Sequence, residues 1–563
     1  MMTFSTAARP LACRALMYAA WSIGLVSGQS AAYAQPATAA DSATWFGKPY
    51  ELPRDVFDLP EFNRFRHDGH LDVGQAEAAL ETMSDANLPA AQRLFDIFAW
   101  RVLIALNWPA NSSGAPDPAK GFSDQATPKV WEYWEPTSAV FKPDGSKPVW
   151  EGSSEHSLDH FKAGWRMNAP VNEGTQAFSG PLIDQNGQWV HYISFMNRVE
   201  FDYVAQHELY NLEGQAAYQR NHRIAFPQDD EAHAGSIEIK LAWKILTPEE
   251  TRSHRFLVRE LPIVTYKPAQ TVATPAPAHL TGRTADNGTG AEVTRKTVGL
   301  IGMHISMRTR SSPQWIWATF EQIDNTRLDR HSGDESHPLP AHPSLSNPNN
   351  PYALVGANLL PAYNATGPNG PLNDWDESKP MPPVEVLRLV PPPQGTEEVN
   401  VAAQTWLGAK GSVFRYYELD GTQWPTHPSA PAVPGGMPGG VGSAPESISF
   451  KMPGAVVPVY LTNSTMETYF QHGFQAAAPL EQDDRTSLLF DTTMVFGTES
   501  CAGCHYSAGA CIGFRKDVTG KLLHDSKGQK IPMFGENGND GLTGNANFSW
   551  LLQLEAHSKN PTD

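Results

Sequence analysis

Ile237-Glu238-Ile239-Lys240-Leu241-Ala242-Trp243-Lys244-Ile245 places large apolar residues at every second position and mostly charged ones between them. Successive side chains of an extended chain point to opposite faces, so the alternation predicts a half-buried antiparallel strand. Outward from it, strand-like segments fall at 188–196, 255–266, 298–308 and 315–323, the last reading Trp315-Ile316-Trp317-Ala318-Thr319-Phe320-Glu321-Gln322-Ile323. Strands that follow one another without intervening helices predict an antiparallel sheet or sandwich, not β-α units. Upstream, residues 89–107 set Leu94, Phe98, Val102 and Ala105 three or four apart, which predicts a helix stopped by Trp108-Pro109. The expected fold class is α+β, a large β-rich body with peripheral helices.

The whole chain has 563 residues, enough for roughly three or four structural units. With 16 Trp, 16 Tyr and 25 Phe, it carries far too much apolar surface to stay unfolded. Charged residues make up only 18%, against 45 Gly and 47 Pro, so turns and loops are plentiful. The formal charge is -18, and no basic stripe relieves it. That balance argues against nucleic acid and anionic membrane surfaces as partners.

Stretches 267–291 and 331–373 read as loops, and 428–447, dense in Pro and Gly, reads as a flexible linker or exposed loop. No fixed-period repeat supports a propeller or solenoid. Leu461 to Gln471 reads as a helix capped by Asn463 or Ser464, and Asp484 to Phe496 as another. The expected plan is therefore a body over 35–454 and a small, mostly helical C-terminal unit over 455–563.

Residues 1–34 combine Arg9 and Arg14, an apolar run from Ala15 to Val26, and Ala32-Tyr33-Ala34. This is the pattern of a cleavable secretory signal peptide, with an apolar run too short to span a bilayer. The mature protein is expected to begin near Gln35, in the periplasm, without stable membrane insertion. An exported protein ordinarily invites disulfides. Beyond Cys13, however, the cysteines are Cys501, Cys504 and Cys511 alone, so they point to local chemistry.

Cys501-Ala502-Gly503-Cys504-His505 is C-x-x-C-H, the attachment signature of c-type haem. On a helical turn, residues i, i+3 and i+4 share one face, so two thiols can form thioethers while the imidazole reaches iron. A thioredoxin-type C-x-x-C lacks its βαβ setting here, and a zinc half-site lacks a second Cys/His pair. One covalent haem c is expected, with His505 as proximal ligand.

The sixth position on iron separates electron transfer from reaction with a small ligand. Met533, beside Pro532, is a candidate distal ligand, with His524 and His557 as competitors and plain packing as an equal reading. If the position is open, aromatics such as Phe534, Phe548 and Trp550 could wall a small pocket. His304, alone on a strand, reads as a hydrogen-bonded core histidine, and Cys511 as a buried, inert thiol. The segment 536–541 reads as a plain turn rather than a calcium loop, and His156 and His160 lack the H-E-x-x-H order of a zinc site. No G-x-S-x-G or phosphate loop is present.

Several stretches resemble a group of exported, single-haem cytochrome c family proteins of proteobacteria. They are 104–109 (Ile-Ala-Leu-Asn-Trp-Pro), 196–203 (Met-Asn-Arg-Val-Glu-Phe-Asp-Tyr), 237–244, 313–321 (Pro-Gln-Trp-Ile-Trp-Ala-Thr-Phe-Glu), 463–468 (Asn-Ser-Thr-Met-Glu-Thr), 500–505 and 546–550. The resemblance implies haem ligation at Cys501, Cys504 and His505 and brings no substrate with it. A looser likeness runs to the haem c cytochromes that oxidise hydroxylamine, in which a small β fold precedes a late C-x-x-C-H and iron keeps an open side. Here the body is larger and the segment after His505 longer.

The expected function is that of a periplasmic monohaem c-type cytochrome passing single electrons to or from a redox partner protein or a small oxidant or reductant. The alternative is a haem enzyme with an open sixth position, peroxidase- or oxidase-like. A third reading makes the haem accessory to a ligand-binding Trp-rich body.

Overall fold

A computed structural model of the protein describes residues 66–67, 70–71, 88–155, 181–230, 234–266, 291–310, 312, 315–326, 344–347, 358, 382–388, 392–424, 461–471, 501–506, 508–525, 528–535 and 546–559. All belong to one unit, Ser42–Asp563. The signal-peptide segment, 267–290, 428–447, 484–496, 536–541, His156 and His160 lie outside the described residues.

The five predicted strands join two that the sequence did not reveal, Glu135–Pro136 and Tyr417–Gln423, in a seven-stranded antiparallel sheet. Its strands are β1 (Glu135–Pro136), β2 (His191–Met196), β3 (Ile237–Ile245), β4 (Val258–Tyr266), β5 (Ala291–Met307), β6 (Ile316–Gln322) and β7 (Tyr417–Gln423). They pair in the order β1-β2-β3-β5-β6-β7, and β4 also pairs with β5. Around Val298 and Gly299 the long β5 pairs with β3 and β4 together, so these two lie on opposite edges of it. β6 pairs with Gly302–Met307 opposite β3, which places β4 and β6 end to end. The overall class is α+β.

One face of this sheet is apolar. Ile239 faces Ile305, which faces Ala318, and Met303 faces Phe320, which faces Leu419. Helices α1 (Leu88–Leu106) and α5 (Gln394–Ala409) bury this face. Trp100 meets Phe320 edge-on at 5.1 Å and Phe95 stacks on Trp424 at 4.6 Å. Asp96 ties the two helices by accepting bonds from Gln92 Nε2 (2.8 Å) and Thr396 Oγ1 (2.6 Å).

The other face is polar, and it is covered too. Cross-strand partners share a face, so Glu238 and Lys240 of β3, His304 and Ser306 of β5, Trp317 and Thr319 of β6, and Gly421 and Gln423 of β7 lie together. The half-buried strand read from the alternation is thus buried on both sides, because segments from before and after it in the chain pack over its charged residues. Lys244 is fully buried against Glu250 and Asp184. Glu238 is buried against Glu200 of α2 (Arg198–Gln206), and each carboxyl is pushed upward, by burial first.

Segment 461–471 lies on this polar face and is not the helix its sequence predicts. Asn463 sits where a cap was expected, but its Oδ1 takes both the backbone N–H (2.8 Å) and the hydroxyl (2.6 Å) of Thr465. Its amide donates away from the segment, to Thr319 Oγ1 (2.7 Å) and the Phe320 carbonyl (3.0 Å). Short polar side chains that bond locally compete with a helix ladder. Only a 3₁₀ turn, Thr468–Phe470, forms. Thr465 lies over Gly302, where a Cβ would collide with its Oγ1.

The described residues nearer the C-terminus alternate short helices, α6 (Cys501–Tyr506) and α7 (Leu551–Leu554), with an antiparallel pair, β8 (Cys511–Phe514) and β9 (Pro532–Phe534). Helix α3 (Leu212–Tyr218) anchors this region. Gln215 accepts from Cys511 N and donates to the Leu552 carbonyl, and just past the helix Gln219 donates to the Cys511 carbonyl. Among the described residues, no helix is long and apolar enough to cross a membrane.

Candidate haem attachment site

Cys501, Cys504 and His505 share the single short helix α6, as the C-x-x-C-H spacing requires. The helix is pinned to the polar face at its start, where Ala502 N donates to Gln423 Oε1 at 2.6 Å. Near its end, the His505 ring lies 4.3 Å from the Trp317 ring of β6. Trp550 Nε1 donates to the Cys504 carbonyl at 3.2 Å. Neither thiol is in a disulfide, and both are partly exposed.

His505 is oriented from a distant part of the chain. Its Nδ1 lies 2.8 Å from the Phe548 carbonyl oxygen, an atom that can only accept. Nδ1 therefore carries the proton, and Nε2 holds the lone pair. Burial pushes the imidazole down to about 4, so it is neutral at pH 7, the state a metal ligand requires. Asn547 and Phe548 both take left-handed backbone conformations, with φ of 51° and 72°. For a phenylalanine that conformation is costly and persists only when its surroundings impose it. The strained turn aims the Phe548 carbonyl at His505.

Burial, reinforced by the charge of Glu467, pushes the Cys504 thiol up to about 12 and raises Cys501 as well. A disulfide-exchange motif needs the opposite, a thiol whose pKa is lowered. Among the described residues, no group of three or more His, Cys, Asp or Glu is placed to hold a metal ion. Two free thiols and an imidazole with its Nε2 lone pair held ready, all on one turn of helix, fit the donor set for covalent haem.

The other candidates are scattered. Met533 lies on β9, 40% exposed and paired with Gly513. His524 is exposed on a loop bridged to Lys530, and the backbone of His557 pairs with Asn211. Cys511 is buried, its Sγ 3.2 Å from the Gly513 carbonyl oxygen, and burial pushes its thiol up to about 11. Of the named aromatics, Phe548 packs 6.4 Å from Trp317, Trp550 bonds α6, and Phe534 pairs with Cys511.

His304 is on the polar face with its Nε2 2.6 Å from Glu467 Oε1, a hydrogen-bonded histidine as its strand position suggested. Behind burial, His304 pushes the His505 imidazole down and Glu467 pushes it up. Trp317, Gln423 and Asn547 were not distinguishable as site residues from the sequence, and Phe548 was legible only as an aromatic that could wall a pocket. Of the first three, Asn547 alone left a trace, since Asn tolerates the left-handed region better than most residues. Compared with protein-family models, curated proteins and solved structures, the chain matches none.

Proposed function

We propose that Cys501 and Cys504 attach one covalent haem c, that His505 is its proximal ligand through Nε2, and that the protein carries single electrons in the periplasm. The observation that carries this reading is the 2.8 Å hydrogen bond from His505 Nδ1 to the Phe548 carbonyl. It sets both the tautomer and the ring orientation before any metal arrives. Haem supplies a one-electron couple when bound. The protein's share is to fix the ligand, exclude water with Trp317 and Phe548, and hold the surroundings still so that little rearranges when charge changes. The resemblance to exported single-haem proteins supports the same reading and adds export by residues 1–34, with a redox protein or small redox molecule as partner.

A second reading, a haem enzyme with an open sixth position acting on a small oxidant or substrate, is favoured by the placement of Met533. That side chain is 40% exposed and packs at the hairpin, where Gly513 faces it.

The test is expression into the periplasm with haem-maturation machinery, followed by intact-mass measurement and optical spectra. The expected result is one added haem, lost in the Cys501→Ala/Cys504→Ala variant, and low-spin iron in both oxidation states. Absence of any added macrocycle overturns the proposal. High-spin ferrous iron that binds carbon monoxide readily retains the attachment and selects the second reading.

A further inference from the structure

Seven rings besides His505 continue from the site to the surface, each in contact with the next. His505 meets Trp317 at 4.3 Å between ring centroids, Trp317 meets Trp315 at 6.1 Å, Trp315 meets Phe226 at 5.8 Å and Phe226 meets Tyr203 at 5.2 Å. Tyr203 then contacts His207 at 4.7 Å, His207 contacts Tyr218 at 4.8 Å and Tyr218 contacts His222 at 4.9 Å. A shortcut exists, since the Tyr203 and Tyr218 hydroxyls are 3.3 Å apart. Trp317, Trp315 and Phe226 are buried, Tyr203 and Tyr218 are half-buried and His222 is exposed.

Ordinary core packing would not require these rings to be held by the turn that orients His505. Trp315 takes a left-handed conformation, φ 70°, and its Nε1 donates to the Asn547 carbonyl at 2.9 Å. Phe226 N donates to the Asn547 side-chain oxygen at 3.0 Å. One strained pair of residues, Asn547 and Phe548, thus fixes both the imidazole and the middle of the ring series, so their relative positions cannot drift. Overlapping π systems couple electronically far better than saturated side chains or gaps.

We propose that Trp317, Trp315, Phe226 and Tyr203 form the electron route between His505 and a surface exit at Tyr218 and His222, where the one-electron partner docks. This rests on the haem reading above. Phe226 is the member hardest to oxidise, so it serves as a bridge across which the electron tunnels between Trp315 and Tyr203.

The test uses the haem-loaded full chain carrying Arg220→Cys, an exposed position close to the exit, labelled with a photo-oxidisable ruthenium complex. Haem loading is verified first by mass and spectrum. After a flash, a soluble electron acceptor, hexaammineruthenium(III), takes one electron from the excited label, and the resulting ruthenium(III) label takes one electron from ferrous haem, giving ruthenium(II) and ferric haem with no proton moved. Trp315→Leu and Phe226→Leu are expected to slow this step by at least an order of magnitude with the haem spectrum unchanged, and Trp315→Phe to restore most of the rate. Unchanged rates in both leucine variants overturn the route.

A second arm reads the rings without haem, in the Cys501→Ala/Cys504→Ala chain with the same label. There ruthenium(III), generated with the same quencher, takes an electron from Tyr203 as its phenolic proton passes to water, and Trp315 then gives an electron to the tyrosyl radical, which recovers a proton from water and leaves a tryptophanyl radical cation. Transient tyrosyl and tryptophanyl absorptions are expected, both lost in Tyr203→Leu. Their absence in the parent, or persistence of the tryptophanyl signal in Tyr203→Leu, counts against the route. If haem never attaches, the functional proposal fails while this arm still decides the ring series.

Discussion

Asp96→Asn should flatten part of the protein's pH-dependent stability. Asp96 is fully buried between α1 and α5, and burial pushes it from 3.8 to about 6 even though Gln92 and Thr396 donate to it. The folded state therefore holds the Asp96 proton more tightly than the unfolded chain does. Below pH 3.8 both states are protonated and the stability is fully present. As pH rises toward about 6, the unfolded chain ionises first and stability falls by about 1.4 kcal/mol per pH unit. Above that value nothing further is lost from this group. The whole loss is about 3 kcal/mol at neutral pH.

Asparagine keeps one carbonyl oxygen for Gln92, and its amide can donate to the Thr396 hydroxyl, so packing is preserved while the titration disappears. Urea unfolding followed by tryptophan fluorescence, at several pH values between 4 and 7, gives stability for both proteins. Other buried carboxyls cancel in the difference between them. That difference should move by about 2.4 kcal/mol in favour of the variant across this range. A difference that does not change with pH would refute the reasoning.

Other perturbations probe the polar face. Lys244→Ala strands Glu250 and Asp184 without their buried cation and should cost about 3 to 5 kcal/mol in denaturant unfolding; a loss below about 1 kcal/mol would mean that the cluster is solvated. Gly302→Ala drives a methyl against Thr465 Oγ1 and should cost about 1 to 3 kcal/mol, with faster amide exchange across 461–471. Unaltered exchange would show that this segment does not seat on β5. Glu200→Gln removes an acid held above its ordinary 4.5 by burial and by Glu238. Stability in the parent is full below that ordinary value and declines as pH rises past it. The variant should decline less steeply in melting temperature against pH, and an identical profile would place the held proton elsewhere.

The alternation in Ile237–Ile245 was enough to read a strand, because a period of two is a local property of the chain. What covered it was not local. Glu238 and Lys244 look like solvent residues until Glu200, Glu250 and Asp184 arrive from other segments. The same holds at the site. Cys501, Cys504 and His505 announced themselves by spacing, whereas the Phe548 carbonyl, the Trp317 ring and the Gln423 amide reach them through tertiary structure. Segment 461–471 misled because its apolar spacing suits a helix, while Asn463 and Thr465 satisfy their hydrogen bonds within one turn. The left-handed conformations of Trp315 and Phe548 are invisible in sequence, and Asn547 gives only a hint of its own.

The bond between His505 and Phe548 spans 43 positions of chain. Ribosomes deliver a polypeptide from its N-terminus, so both thiols emerge well before the carbonyl that settles the imidazole's tautomer. Until then the motif is chemically accessible but its histidine is unaligned. Alignment therefore waits on the folding of the segment that carries Phe548, and the turn at Asn547 and Phe548 acts as the latch that readies the motif.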